Sequence, residues 1–173
     1  MSRNIWVTSD THFNHENILG FKDKDGQPTR PFSSVEEMNE TLIYNWNSVV
    51  KPGDKVYHLG DVFFGSKDEF KTLWPRLNGS KRLVVGNHDD VKFLSSGGFF
   101  QKVSMWRFFM EHGVLLTHVP VHPLTISEKR FRGEPLVNVH GHIHQNKSPE
   151  GPYKCVCVEQ TGYTPVSIEE LVP

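Results

Sequence analysis

The chain has 173 residues, enough for one domain of the usual ~100–200 residues with a sizeable core, and a single unit over 1–173 is expected. Twelve Phe and four Trp exclude a disordered composition, and a formal net charge of −1 excludes a generally basic nucleic-acid or membrane-surface binder. The only cysteines, Cys155 and Cys157, fit a reducing compartment; with no signal-type leader before Ile5 and no apolar run near the ~18 residues of a membrane span, a cytoplasmic location without membrane contact is expected.

Asn4–Thr8 reads as a short apolar strand ending in Ser9-Asp10-Thr11-His12, and Asn14–Gly20 as the start of a brief helix. Phe21–Phe32 is a polar loop that closes on Arg30-Pro31-Phe32. Ser34-Val35-Glu36-Glu37 has capping-box spacing, and Val35, Met38, Leu42, Trp46 and Val49 then recur at helical intervals until Lys51-Pro52-Gly53-Asp54 stops them. Lys55–Leu59 is a strand with Gly60-Asp61 at its end. A second capping box, Ser66 to Glu69, opens a helix with Phe70, Leu73, Trp74 and Leu77 on one face, shortened by Pro75. After the Asn78-Gly79 turn, Arg82–Val85 delivers Gly86-Asn87-His88-Asp89. Val103–Met110 and Val114–Thr117 read as a hairpin, Val119–Pro135 as a long loop, Leu136–Val139 and Tyr153–Val158 as strands, and Ser167–Leu171 as a last helical turn. Cys155 and Cys157 would share one face of their strand. Strand–helix alternation first and strand-rich chain later predict an α/β or α+β layered sandwich.

Ten histidines are present, and most stand in or beside short apolar runs. Five strand ends carry the same residue types: Asp10 and His12; Asp61; Asn87, His88 and Asp89; His118; His142 and His144. Each alone has an ordinary structural explanation, such as a turn aspartate or a half-buried histidine. Together they can converge on one sheet edge, where open α/β folds place their ligands. The set exceeds one four-coordinate ion and suits two, which need a shared carboxylate to hold them ~3.5–4 Å apart. It contains no thiolate, which argues against a Cys-rich structural zinc site.

Asp10-Thr11-His12, Gly60-Asp61, Gly86-Asn87-His88-Asp89, Thr117-His118 and Gly141-His142-Ile143-His144 resemble the five ordered motifs of the calcineurin-like metallophosphoesterases. The resemblance implies an α/β, four-layer α-β-β-α sandwich with two divalent metal ions, manganese first and iron, nickel or zinc as alternatives. It implies that Asp10, His12 and His144 hold one metal, that Asn87, His118 and His142 hold the other, and that Asp61 bridges them. His88 would be the catalytic histidine, with Asp89 orienting it, although a capping role for Asp89 fits equally. A water between two such ions is acidified toward neutrality and becomes the nucleophile on a phosphate ester.

Many members of that family carry an arginine shortly after the second motif, and Val62-Phe63-Phe64-Gly65 has none. Arg30 is the candidate phosphate clamp, with Arg130 and Arg132 behind it; Asn14 and His15 would line the pocket. His58 and His140 would lie in the core or behind the ligands. The expected partner is a small, nucleotide-like phosphomonoester or phosphodiester, with no strong sign of polynucleotide binding. Two rival classes remain: a scaffold on the same fold, which would lack the catalytic histidine, and a nuclease, which would need a groove to grip a polymer.

Overall fold

The structure is a computed structural model that describes residues 4–126, 130–131 and 133–172, with residues 130–131 and 134–135 described as backbone only. Its first sheet is assembled from β1 (Ile5–Thr8), β2 (Lys55–His58), β3 (Ser80–Val84) and β4 (Lys102–Ser104), all parallel, with β11 (Val166–Ser167) antiparallel on the free side of β1. Parallel neighbours need crossovers. Helices α1 (Val35–Val49), α2 (Lys67–Leu73) and α3 (Val91–Ser96) lie in those connections.

The second sheet has the order β10 (Tyr153–Cys155), β9 (Val137–His140), β6 (Val114–Thr117) and β5 (Trp106–Phe109). A one-turn helix, α4 (Pro123–Ile126), and a two-stranded ribbon, β7 (Arg130–Phe131) with β8 (Glu134–Pro135), fill part of the loop after β6.

Side-chain alternation sorts these strands into layers. Val56 and Leu83 face the helices and join Met38, Leu42, Trp46, Phe70 and Leu94 in one buried cluster. Val7, Leu59 and Val84 face the other way and meet Val114, Leu116, Val137 and Val139 of the second sheet. The result is the expected layered α-β-β-α sandwich. Its last layer is thin: α4 and its flanking loop, tied to β9 where Val121 N–H donates to Asn138 Oδ1 at 2.9 Å.

The helix starts follow their caps. The Ser34 hydroxyl accepts from the Glu37 amide at 3.1 Å, and Ser66 accepts from the Asp68 and Glu69 amides. Three elements differ from the sequence expectation. Val103–Met110 is two strands, because the chain leaves the first sheet after Ser104 and enters the second at Trp106; no glycine or proline marks the crossing at Met105. The segment from Val91 to Ser96 is a helix capped by Asp90, whose carboxylate accepts from the Phe93 amide at 2.9 Å. Finally, β10 ends at Cys155, and Cys157 instead bridges to Ser9 of the first sheet. The two thiols are free.

Candidate metal centre

The C-terminal ends of β1, β2 and β3 deliver Asp10, His12, Asp61 and Asn87 to one edge, and β6 and β9 deliver His118, His142 and His144 to the same place. The loops are zipped by backbone bonds: Asp10 N–H to the Gly60 carbonyl at 3.0 Å, His12 N–H to the Asp61 carbonyl at 3.1 Å, and Gly141 N–H to the His118 carbonyl at 2.8 Å. That approach explains two glycines. A Cβ on Gly86 would stand 2.3 Å from Asp61 Oδ1, and one on Gly141 would stand 2.3 Å from Asp10 Oδ2.

The backbone at this edge is strained. Among the described residues, seven non-glycine positions have positive φ, and six are Asp10, His12, Asn14, Asp61, His142 and His144. Aspartate, asparagine and histidine are the types most often found in that region. Strain of ~1–3 kcal/mol per residue persists only where surrounding structure enforces it, and it collects at functional sites.

Asp10, His12 and His144 offer ligand atoms that all lie within 4.8 Å of one another, and so do Asp10, Asp61 and His118. His12 Nε2 stands 3.8 Å from Asp10 Oδ1 and 3.7 Å from Asp61 Oδ2. His118 Nε2 stands 3.6 Å from that same Asp61 oxygen. Asp10 Oδ1 and His12 Nε2 are buried and have no hydrogen-bond partner. Unsatisfied buried polar atoms are expensive, and two of them converging with neighbouring carboxylate and imidazole atoms fit a cation. Asn87 Oδ1 lies 2.8 Å from His118 Nε2, and the His142 ring lies 5.1 Å from the His118 ring.

The ring tautomers follow from the groups behind them. His118 Nδ1 faces the Leu59 carbonyl at 2.7 Å, and a carbonyl can only accept. With an ion bound, Nδ1 would carry the proton and Nε2 would turn its lone pair to the ion; without one, the Asn87 amide oxygen faces Nε2 as a second acceptor. Glu159 Oε1 stands behind His144 as the Leu59 carbonyl does behind His118, 2.9 Å from the His144 Nδ1. Burial lowers the proton affinity of His144, but the hydrogen bond and charge of Glu159 outweigh it and raise the pKa. Burial also disfavours an ionised Asp10, yet the neighbouring imidazoles of His12, His118 and His144 and the Ser9 hydroxyl outweigh it, and the carboxyl is held well below its usual range.

Several expected roles move. Arg30 is fully buried. Its guanidinium donates to Glu159 at 2.8 Å and to the Thr11 carbonyl at 2.8 Å, with a further bond to the Asp10 carbonyl. It is a brace behind the first motif, with no donor aimed at a phosphate. The Asp89 carboxylate accepts from the amides of Gly86 at 2.7 Å, Val62 at 3.0 Å and Asp61 at 3.2 Å; it ties two ligand loops together, and no bond joins it to His88. Asn14 is cross-bonded to Asn39, with Asn39 Nδ2 donating to Asn14 Oδ1 at 2.7 Å. His15 stacks on Phe64 with ring centroids 4.0 Å apart and bonds His12 Nδ1 to Nδ1 at 3.2 Å. Burial, reinforced by His12, pushes its pKa down to about 4. His88 is exposed at the rim, its ring 5.2 Å from Phe64 and 6.2 Å from His12. The side chain of Arg130, and Arg132 altogether, lie outside the described residues.

Two residues escaped the sequence reading. Glu159 lies beyond the last motif in a 3₁₀ turn, Val158–Gln160, where a lone glutamate carries no signal. Phe64 stands in the stretch that lacks an arginine and walls the site with a ring stacked on His12 at 5.0 Å.

Two face-to-face sheets with aspartates and histidines gathered at their shared edge define a layered α/β protein with a candidate metal site. The sequence matches the calcineurin-like phosphoesterase family over residues 3–155, and the chain belongs to that family. It is 38% identical to an uncharacterized protein of Methanocaldococcus jannaschii, across 98% of this chain and 90% of that protein. It is 30% identical to the Gene 66 protein of Mycobacterium phage L5, across 82% and 77% of the two chains. Among solved structures, a protein of unknown function from Aquifex aeolicus superposes with a TM-score of 0.73 at 30% identity, with 98% of each chain covered. Among the described residues, no helix is long and apolar enough to cross a membrane.

Proposed function

We propose that this chain is a metal-dependent hydrolase of nucleotide-like phosphomonoesters or phosphodiesters. The observation that carries the reading is the pair of orphaned buried atoms, Asp10 Oδ1 and His12 Nε2, converging with Asp61, His118 and His144. Asp10, His12 and His144 would hold one divalent ion, Asn87, His118 and His142 another, and Asp61 Oδ2, near both His12 and His118, would be shared. Mixed carboxylate, imidazole and amide donors suit manganese first, with iron, nickel or zinc as alternatives. Such ions, when bound, acidify a water to nucleophilic strength and neutralise phosphoryl charge.

The chain's own residues supply the rest. Leu59 and Glu159 fix the ring orientations of His118 and His144, and Asp89 holds the Asp61 loop against the Asn87 turn. Phe64 and His15 form an apolar wall that limits water on one side. His88 stands exposed beside that wall, with ring nitrogens free to give a proton to the leaving oxygen. Its backbone N–H is anchored to Asp61 Oδ1 at 2.9 Å, which couples its position to the bridging carboxylate.

The test is turnover of p-nitrophenyl phosphate and bis(p-nitrophenyl) phosphate by the chain loaded with manganese, nickel, cobalt, iron or zinc. Hydrolysis with at least one metal is expected. His88→Ala should retain fold and metal while losing ~10²–10⁴-fold in rate. No turnover with any of these metals would refute the reading, and a fully active His88→Ala would place the proton transfer elsewhere.

A further inference from the structure

From the metal centre, an apolar pocket of about 570 Å³ runs outward from Asn87 and His118 past Leu115, Val119 and Met105 to Trp106. Trp106 also lines a second groove, of about 590 Å³, along the open edge where β4 leaves the first sheet and β5 enters the second. That groove holds four cations, Lys55, Arg82, Lys102 and Arg107, together with Tyr57, Trp106 and Phe108, and no carboxylate lines it. We infer that this groove is a tract for single-stranded nucleic acid, leading a polynucleotide phosphodiester to the candidate centre. The inference rests on the phosphoesterase reading and narrows its substrate class.

Three observations support it. The four cations are unpaired: among the described residues none makes an ion pair, and Arg82 bonds only to Ser80 and Gln101. On the helix-covered side, by contrast, Lys67 pairs with Asp90, Lys71 with Asp68, and Arg76 with Glu40. Four unpaired cations sharing one groove repel one another, and a chain of net charge −1 does not require them there for solubility.

Next, the aromatic rings shape the groove. The Arg82 guanidinium lies 5.7 Å from the Tyr57 ring, and that of Arg107 lies 4.8 Å from Phe109. Trp106 is 60% exposed and Met105 72%. An exposed indole beside a row of cations is what single-strand binding uses: bases stack on the ring and phosphates follow the charges.

Spacing is the third. Arg82 is paired in register with Lys102 and lies four residues before Gly86. At ~3.3 Å per strand residue that is ~13 Å, the length of about four stacked nucleotides at ~3.4 Å each. A strand whose scissile phosphate sits at the candidate centre therefore reaches Arg82 and Lys102 within a few nucleotides, passing Trp106 on the way. A single nucleotide does not. Whole-chain charge hid this feature because acids elsewhere cancel the groove.

The experiment is anisotropy titration of a fluorescein-labelled phosphorothioate oligothymidylate, which resists hydrolysis, against the full chain over a range of salt concentrations. Four phosphate contacts predict a log–log salt slope of about −2.8, at ~0.7 per contact. The Arg82→Glu/Lys102→Glu double variant should lower the slope by about 1.4. Trp106→Ala should weaken oligothymidylate binding about tenfold while leaving binding of inorganic polyphosphate unchanged. Circular dichroism confirms that each variant is folded. No saturable binding, a slope unaffected by the double variant, or equal affinity for a duplex of the same length would each overturn the inference. Because binding is read without turnover, its failure and failure of the hydrolase reading appear in separate assays.

Discussion

The two sheets of this protein are built for different tasks. The first is parallel, covered on one face by α1, α2 and α3 and on the other by the second sheet. Trp46, Phe70 and Trp74 are nearly inaccessible against it, and on its helix-covered side Lys67, Lys71 and Arg76 are ion-paired. It is a rigid platform carrying Asp10, Asp61, Asn87 and His88. The second sheet has short strands and a thin outer layer, and its edge strand begins with an exposed Trp106 beside an exposed Met105. It contributes His118, His142 and His144, lines the apolar pocket, and shares the basic groove with β2, β3 and β4, which bring Lys55, Arg82 and Lys102. Under the proposed function, the candidate ligands stand on the well-packed half and on the ends of β6 and β9, and the proposed tract lies where the open edges of the two sheets meet.

The largest effect expected from that contrast is on stability. Phe70→Ala removes a fully buried ring that meets Phe63, Trp74, Phe93 and Phe99 and should cost ~3–5 kcal/mol. Trp106→Ala should stay within ~0.5 kcal/mol, as surface substitutions do. Urea denaturation of both variants checks this, and comparable losses would mean that β5 is as much a part of the core as α2.

A middle-sized effect links the two halves through Glu159. Glu159→Gln takes the carboxylate from His144 Nδ1 and should weaken divalent-ion binding ~10–100-fold, the usual cost of losing such a support. Calorimetric titration with manganese reads it directly. Unchanged affinity would return Glu159 to a role as counter-ion for Arg30 alone.

A further effect, spread over several pH units and so small at any one pH near neutrality, is a pH dependence of stability. Burial drives the His58 pKa down to about 3. Its bonds agree with a neutral ring: Nδ1 accepts from the Gly60 amide at 3.2 Å, and Nε2 faces the Thr11 hydroxyl at 2.9 Å while that hydroxyl donates to the Val62 carbonyl. The unfolded chain binds a proton here below pH ~6.5 and the folded chain does not until about 3. Stability is therefore full above ~6.5 and declines toward pH 3, at a limiting slope of ~1.4 kcal/mol per pH unit from this one group. Its counterpart in the second sheet, His140, is also lowered by burial but partly sustained by the Gly141 carbonyl. Urea midpoints of the metal-free chain across this range should flatten more for His58→Gln than for His140→Gln.

Much of this molecule is determined by local sequence. Helix starts follow from Ser34 and Ser66, whose hydroxyls cap amides a few residues away. Strands follow from short apolar runs, and five of those runs end in Asp, His or Asn, so the metal-ligand candidates are legible once the five ends are read together. What lies across the fold is not. Arg30 reads as a clamp until Glu159, far away in sequence, is found holding it in the core. Asp89 reads equally as a partner for His88 or as a cap, and three amides from two loops claim its carboxylate. The break at Met105 is silent because no glycine or proline marks it, although it creates the edge where Lys55, Arg82, Lys102 and Arg107 meet. Sequence by itself determined the elements, their caps and the polar strand ends, because those depend on neighbours within a turn or a strand. Only the tertiary structure decided which charges are paired and which stay free, because electrostatic partners are chosen by distance in space, and folding brings together residues that the chain keeps far apart.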